Sequence, residues 1–270
     1  MITVCRFRPV RMFVMAGLTA LVAVSGTGSA WAQLTALNHF MCYEVKKAPF
    51  ETVNVDVENP FGPTSIDVKK PKRLCNPANK NGEDPTAPTD DEHFVGYRTR
   101  QTEPRRVDLQ RGLTVTNQFG TFLVDAKKPD LWMVPSAKSE VAPPPALPDP
   151  LPIDHYECYR TRSAKATFPT IEIEDQFGDL TLDVKRPRSV CIATDLMGNG
   201  ILLPDVHLAC YKVKTANRTP RFPGRDLVFV NNDFGNAQGL DFLRVTRPTE
   251  ICLPSTITRC FTTPILGPCP

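Results

Sequence analysis

The chain of 270 residues contains 27 prolines, 32 Lys+Arg and 29 Asp+Glu. This many prolines argues against a mainly helical protein, because proline breaks the interior of a helix. The excess of basic residues comes from Arg6, Arg8 and Arg11. Beyond residue 32 the two classes balance at 29 each, which removes the electrostatic case for a nucleic-acid-binding protein.

Residues 1–32 are predicted to be a secretory signal peptide. The arginines precede an apolar run from Met12 to Val24, and Ala30-Trp31-Ala32 offers a small-x-small cleavage site before Gln33. The run is shorter than the roughly 20 residues of a membrane span; an uncleaved N-terminal anchor is the alternative. We expect a secreted or periplasmic protein with no membrane insertion after cleavage.

Four copies of one pattern follow. The pattern begins H-x-x-C-Y-x-x-[KR] and continues through an alternating apolar run to a turn ending in Phe-Gly. A second alternating run then leads to basic residues, a proline and a cysteine. The copies begin at His39, His93, His155 and His207, which are the four histidines of the chain. Such repetition predicts an array of similar structural units.

Each copy is predicted to supply about three strands, which makes the fold all-β. Segments such as Ile171-Glu172-Ile173-Glu174 alternate as half-buried strands do. In the opening H-x-x-C-Y, alternation places cysteine on one face and tyrosine on the other. Glycine in each turn is predicted to have positive φ. The proline of each copy is predicted to end a strand, because it cannot donate to a ladder. These prolines are Pro71, Pro129, Pro187 and Pro248.

A proline-rich stretch divides the copies into two pairs. Its composition favours an extended, semi-rigid spacer. Each pair of copies has a size typical of a β-sandwich, whereas one copy is too short to bury a core alone. We therefore predict two tandem β-sandwich-like domains, each a pseudo-symmetric pair of copies. The predicted units are a signal peptide at 1–32, domain one at 39–138 (copies 39–80 and 93–138), a linker at 139–154, domain two at 155–254 (copies 155–194 and 207–254) and a tail at 255–270.

The chain has nine cysteines, and all but Cys5 follow the signal peptide. An even number is typical of disulfides in exported proteins. In copies one, three and four the cysteines bracket the unit. In copy two both positions differ together, as Gly96 and Met133, which is what a covalent pair predicts. The expected disulfides are Cys42–Cys75, Cys158–Cys191, Cys210–Cys252 and Cys260–Cys269.

A zinc site is the competing interpretation, since His and Cys three residues apart are suitable ligands. Copy two argues against it, because His93 persists where both cysteines are gone. We expect no metal and no cofactor. The histidines are interpreted as strand-start residues that pack or form hydrogen bonds.

Beyond the signal peptide there is no phosphate-binding loop, dinucleotide fingerprint, H-E-x-x-H or G-x-S-x-G motif. Asp56, Asp175 and Asp233 lie near turns, where a catalytic acid is the alternative to a turn-capping residue. The sequence predicts a non-enzymatic protein with a structural or binding role. An extracellular hydrolase with a carboxylate site between the two domains is the alternative.

Tyrosines and basic residues recur at fixed positions and form the candidate binding surface. A stripe for anionic glycans or an envelope surface is the functional interpretation. Protection of strand ends against aggregation is the structural one, and the zero net charge beyond residue 32 favours it. The predicted partner is an envelope or extracellular glycan or protein. The residues are Tyr43, Tyr97, Tyr159, Tyr211, Lys69, Lys70, Lys127, Lys128, Lys185 and Arg186.

The combined motif HFxCYxxK…DQFG…VKKPxxLCxPxxKNGE is matched by residues 39–43, 175–178 and 69–83. It resembles an uncharacterised family of secreted bacterial repeat proteins, a domain of unknown function. The resemblance covers nearly all of 39–254 and implies export and repetition, but no activity. Copy two departs from it by lacking both cysteines, and copy four by an insertion at 236–240.

Overall fold

The computed structural model describes residues 37–46, 50–106, 108–164, 166–234 and 242–259. The predicted signal peptide, the turn glycine Gly235 and the Cys260–Cys269 pair lie outside these residues. One short 3-10 helix, Ala87–Thr89, accompanies the strands of the described part. The strands are β1 (Phe40–Lys46), β2 (Val53–Asn59), β3 (Gly62–Lys80), β4 (His93–Glu103), β5 (Gln110–Asn117), β6 (Gly120–Ser139), β7 (His155–Ser163), β8 (Thr170–Asp175), β9 (Gly178–Leu196), β10 (His207–Thr215), β11 (Arg225–Asn231) and β12 (Phe242–Arg259).

The all-β fold is confirmed, and each copy supplies three strands. The first is the opening strand with the H-x-x-C-Y motif, the second is a short middle strand, and the third is a long strand. A tight turn joins the middle and long strands. Its glycine has a φ of +111° at Gly62, +106° at Gly120 and +110° at Gly178, as predicted, because a side chain is strained in this conformation.

Opening and long strands of the four copies form a closed, antiparallel ring. Within a copy the opening strand pairs with its own long strand, as β1 does with β3. Each long strand then pairs with the next opening strand, in the order β3–β4, β6–β7 and β9–β10. The circle closes where β12 pairs with β1. All eight ring strands therefore have a partner on both sides.

The prediction that proline ends a strand is wrong. Each long strand continues through its proline, and the ladder register shifts there instead, for example between Val68 and Pro71 and between Ala126 and Pro129. The missing N–H is tolerated because the proline lies at an irregularity of the ladder. At this point the long strand passes from its hairpin with the middle strand into the ring.

Middle strands connect copies that lie opposite each other in the ring. β2 of copy one pairs with the end of β9 in copy three, and β8 of copy three pairs with the end of β3 in copy one. Copies two and four exchange strands in the same way, since β5 pairs with β12 and β11 pairs with β6. The exchange couples every copy to the copy across the ring.

The predicted layout of two separate sandwich-like domains is not confirmed. All twelve strands of the described part belong to one sheet. Six ladders join copies one and two to copies three and four: β6–β7, β1–β12, β2–β9, β3–β8, β5–β12 and β6–β11. The sequence could not show this, because strand alternation reports which face is buried and not which strand lies alongside.

The two faces of the ring carry separate buried clusters. On β1, Phe40 and Cys42 belong to one cluster, and Met41 and Tyr43 to the other. The first cluster draws on all eight ring strands and fills the inside of the ring. The second lies on the outer face, where the middle strands cover it through side chains such as Val57. The ring therefore has a packed interior.

Three of the predicted disulfides are present and lie inside the ring. Cys42–Cys75, Cys158–Cys191 and Cys210–Cys252 each join directly paired residues of one copy, with Cα–Cα distances of 4.0, 3.8 and 3.9 Å. Neighbouring disulfides touch, since 3.7 Å separates the Sγ atoms of Cys42 and Cys252 and also those of Cys191 and Cys210. Disulfides fit a protein that resides outside the cytoplasm.

Copy two fills the same position with side chains. Gly96 pairs with Met133, which belongs to the interior cluster. A Cβ added at Gly96 would lie 2.8 Å from Leu131 Cδ2 and 2.9 Å from Arg73 Cβ. Leu131 and Met133 thus occupy the volume that a disulfide takes in the other copies. No helix of the described residues has the length and apolar character to cross a membrane.

Candidate functional site at the basic end of the ring

The four tyrosines of the predicted binding surface are buried. Tyr43, Tyr97 and Tyr211 have no exposed area and Tyr159 is 4% exposed. They therefore do not form a surface for a partner. Burial raises the pKa of all four phenols, because it disfavours the charged form.

Each tyrosine instead belongs to a unit that we call a latch: the tyrosine together with the Asn or Asp and the Phe of a turn in the copy across the ring. Tyr43 donates a hydrogen bond of 2.8 Å to Asp175 Oδ2, and Asp175 Oδ1 accepts one of 2.7 Å from Phe177 N. The rings of Tyr43 and Phe177 meet edge to face at 5.2 Å. The four latches are Tyr43–Asp175–Phe177, Tyr159–Asn59–Phe61, Tyr97–Asn232–Phe234 and Tyr211–Asn117–Phe119.

Two latches carry a buried carboxyl group and two do not. Burial raises the pKa of Asp175 to about 6. In the Tyr159 latch, Glu157 accepts hydrogen bonds from Tyr159 (2.6 Å) and Asn59 (2.8 Å), and burial raises its pKa. Lys138 lies near Asp175, and burial lowers the pKa of its amine to about 8. Asp175 and Glu157 are 4% and 0% exposed, so these carboxyl groups are enclosed within the fold.

Three of the four copy-start histidines, His39, His155 and His207, form hydrogen bonds, whereas His93 packs in the buried interior with neither ring nitrogen bonded to a described residue. His39 Nε2 lies 3.1 Å from Gln118 Oε1, and His207 Nδ1 accepts a hydrogen bond of 3.3 Å from Ala193 N. Burial lowers the pKa of His39 and of His207 to about 4. His93 is 1% exposed, and burial holds its pKa well below 6.5.

The three carboxylates considered as catalytic acids lie apart. Asp175 belongs to a latch. Asp56 accepts a hydrogen bond from Ser65 on an exposed hairpin. Asp233 pairs with His155 at 3.1 Å. Across the described ranges, no group of three or more His, Cys, Asp or Glu side chains is arranged to hold a metal ion.

The basic residues meet at one end of the ring, which we call the basic end. At every junction between copies, the tyrosine of an opening strand pairs with the proline of the preceding long strand. These pairs are Tyr97–Pro71, Tyr159–Pro129, Tyr211–Pro187 and Tyr43–Pro248. The basic residues before each proline therefore lie level with the residue that follows each tyrosine. That residue is Arg98, Arg160, Lys212 or Glu44.

A groove of about 440 Å³, which we call the basic groove, lies at this end where copies one, two and three meet. Lys69 and Lys128 line it, as the sequence suggested. It also contains three arginines that were not among the predicted binding residues: Arg98, Arg100 and Arg160. The sequence contained a signal for Arg98 and Arg160, since each directly follows the tyrosine that recurs in every copy.

Acidic residues neutralise only part of the basic groove. Arg160 donates a hydrogen bond of 2.7 Å to Asp130, and Lys69 lies 3.9 Å from Asp67. Arg98, Arg100 and Lys128 form no ion pair with any residue that the structure describes. Cations held close together repel each other, and this repulsion is relieved when an anion binds between them.

At the junction of copies four and one, the basic residues form ion pairs. Arg247 Nε lies 2.6 Å from Glu44 Oε2 there. Behind this pair, Glu250 Oε1 lies 2.8 Å from Arg73 Nε and 3.2 Å from Arg188 Nε. Ion pairs therefore satisfy the cations on this side of the ring. The remaining predicted residues, Lys70, Lys127, Lys185 and Arg186, are exposed and lie outside the basic groove.

Comparison with models of known protein families gives no match, and neither do searches of curated proteins and of solved structures. The resemblance to a secreted repeat family therefore stays a prediction.

Proposed function

We propose that the protein is an exported, non-enzymatic binding protein that holds an anionic glycan at its basic end. The observation that carries the proposal is the basic groove, where Arg98, Arg100 and Lys128 lie together and form no ion pair with an acidic residue of the described ranges. A carboxylate or sulfate group matches the paired N–H groups of arginine. The proposed location supports the choice of a glycan as the anion, since three disulfides fit a compartment outside the cytoplasm.

The ring supports this function by fixing the groove. The basic residues come from β3, β4, β6 and β7, which are neighbours in one continuous ladder. Their backbone positions are set by the disulfides and side chains packed inside the ring. A preformed arrangement of cations loses little conformational entropy when the ligand binds. Binding, and not turnover, is the activity that such an arrangement supports.

The test compares polygalacturonate, a carboxylated glycan, with neutral dextran by calorimetry. We expect polygalacturonate to bind with an affinity that falls as salt rises, and dextran not to bind. The variant Arg98→Gln/Arg160→Gln should weaken binding by about tenfold or more, since a charge-assisted hydrogen bond contributes roughly 1.5–3 kcal/mol.

Lys212→Gln is the matched control, because Lys212 follows its tyrosine as Arg98 and Arg160 do but lies outside the basic groove. Its effect should stay within about twofold, the range of a rim charge. Equal binding of dextran, or an equal loss in the control variant, would contradict the proposal.

A further inference from the structure

A second and larger groove, of about 900 Å³, lies away from the basic groove. We call it the linker groove, because the proline-rich stretch at 147–154 forms one of its walls. The other walls are β2, the loop after β9, and Asp233 and Phe234 of copy four. Its volume falls within the range of small-molecule sites, roughly 300–1,000 Å³. The predicted linker thus has a structural role that composition alone did not suggest.

The linker groove is mainly apolar, and part of its apolar surface faces solvent. The side chains of Met197 and Leu202 are 73% and 59% exposed. Exposed apolar residues gathered around one concave site are unusual on a protein surface and mark binding sites. The principal apolar residues of the groove are Val53, Val55, Leu151, Leu196, Met197 and Leu202.

The walls are fixed before any ligand binds. The Asp154 carboxylate accepts hydrogen bonds from Leu202 N (2.7 Å) and Leu203 N (2.8 Å), so one side chain ties the linker to the loop after β9. Ile153 is 3% exposed and packs into the interior cluster of the ring. Asn231 donates a hydrogen bond of 3.2 Å to the carbonyl oxygen of Pro145.

One part of the groove is acidic. His155 Nε2 lies 3.1 Å from Asp233 Oδ2, and the His155 ring stacks on the buried Trp132 at 5.4 Å. The Asp233 side chain is 41% exposed, and Asp149 is exposed at the rim. No Lys or Arg is found among the described residues that line the groove. The charge of the groove therefore favours a cation.

The matching pair in copies one and two shows that Asp233 is not needed for the hydrogen bond. There His39 lies 3.1 Å from Gln118, which occupies the turn position of Asp233. An uncharged side chain thus makes the same contact to a copy-start histidine. Copy four places a negative charge at this position, beside an apolar groove that the linker provides.

We propose that the linker groove binds an elongated apolar molecule that carries one protonated amine. The apolar body lies between the linker and the loop after β9, where it covers Met197 and Leu202. The ammonium group lies at Asp233, which can accept its hydrogen bond on the side away from His155. This site is separate from the basic groove, and its ligand has the opposite charge.

The test uses three probes with the same eight-carbon tail: octylammonium, octanol and octanoate. Binding is measured by calorimetry and by ¹H–¹⁵N chemical shifts of the full exported chain. Octanoate is measured in the Arg98→Gln/Arg160→Gln background, so that the basic groove does not contribute. We expect octylammonium to bind about tenfold more tightly than octanol, and octanoate most weakly.

Two variants separate the charge from the apolar wall. Asp233→Gln copies the His39–Gln118 pair, and it should reduce octylammonium binding to the level of octanol while octanol binding is unchanged. Leu202→Asn removes an exposed apolar contact and should weaken octylammonium and octanol equally. Equal affinity for octylammonium and octanoate, or octylammonium binding that neither variant changes, would overturn the proposal, as would shifts that map outside the linker groove.

Discussion

Copy two and the other three copies solve one packing problem in different ways. Copies one, three and four join their opening and long strands with a disulfide inside the ring. Copy two has Gly96 opposite Met133, and Leu131 reaches into the space beside the glycine. The backbone ladder is the same in both cases. The comparison indicates that the ring needs its interior filled, and that a covalent bond is one way of filling it.

Among the changes that test this comparison, removal of one disulfide should have the largest effect on stability. Cys158→Ala/Cys191→Ala opens a loop whose ends are 33 residues apart, for which the chain-entropy model gives about 4 kcal/mol at 25 °C. We expect that loss, increased by the cavity left inside the ring, in the free energy of unfolding measured by urea titration.

Met133→Leu is the control in copy two, because it nearly conserves volume and should cost less than about 1.5 kcal/mol. A loss of less than about 1 kcal/mol in the cysteine variant would show that the covalent bond contributes no stability beyond the packing of the side chains.

The opposite change, Gly96→Ala, tests how tightly copy two is packed. The added methyl would lie 2.8 Å from Leu131 Cδ2 and 2.9 Å from Arg73 Cβ. Overpacking of this kind costs about 1–3 kcal/mol, which thermal unfolding will report. Leu131→Ala in the same chain should restore part of the loss, because it vacates the space. Strict additivity of the two changes would mean that these side chains do not compete for one volume.

The latches allow a finer comparison between a charged and a neutral acceptor. Burial raises the pKa of Asp175 from 3.8 to about 6. Because the pKa of Asp175 is higher in the folded state than in the unfolded state, the folded state binds the proton more tightly. The protonated carboxyl therefore stabilises the fold below pH 4, and this contribution is lost as the pH rises to 6. The full change is about 2–3 kcal/mol. Asp175→Asn should remove this pH dependence, and Asn117→Asp should add a similar one. Urea titrations from pH 4 to pH 7 would detect each substitution as a change in slope relative to the unchanged chain, to which Glu157 also contributes because burial raises its pKa; a slope that Asp175→Asn leaves unaltered would show that Asp175 does not contribute to it.

Substitutions at the basic end should have the smallest effect on stability. Arg98 and Arg160 are exposed, so Arg98→Gln/Arg160→Gln should change the free energy of unfolding by less than about 0.5 kcal/mol. The same variant is expected to weaken glycan binding by about tenfold or more. A large loss of stability would show instead that these arginines support the fold, and would remove the main argument for a binding site.

The sequence predicted local features of the fold well and long-range ones poorly. Three strands per copy, the positive φ of Gly62, Gly120 and Gly178, and the three described disulfides follow from alternation, turn chemistry and repeated spacing. Closure of the ring did not, since the proline-rich stretch at 139–154 resembles a linker between domains. The tyrosines were assigned to a surface because the sequence gives no sign that Tyr43 meets Asp175, 132 residues away.

Part of the candidate site could also be predicted from the sequence. Lys69 and Lys128 were predicted, but their convergence with Arg98, Arg100 and Arg160 depends on the order of strands around the ring. The linker groove depends on the same closure, because it brings residues of copies one, three and four beside the linker. Neither arrangement is encoded by spacing within a single copy.

Closure of the ring is the central claim, and cross-strand nuclear Overhauser effects between β1 and β12 test it most directly. The structure predicts such contacts along the register Met41–Ile251 and Val45–Val245, in addition to those between β1 and β3. Contacts of β1 with β3 alone, and of β12 with β10 but not with β1, would contradict the closed ring. That result would favour two domains joined by a linker.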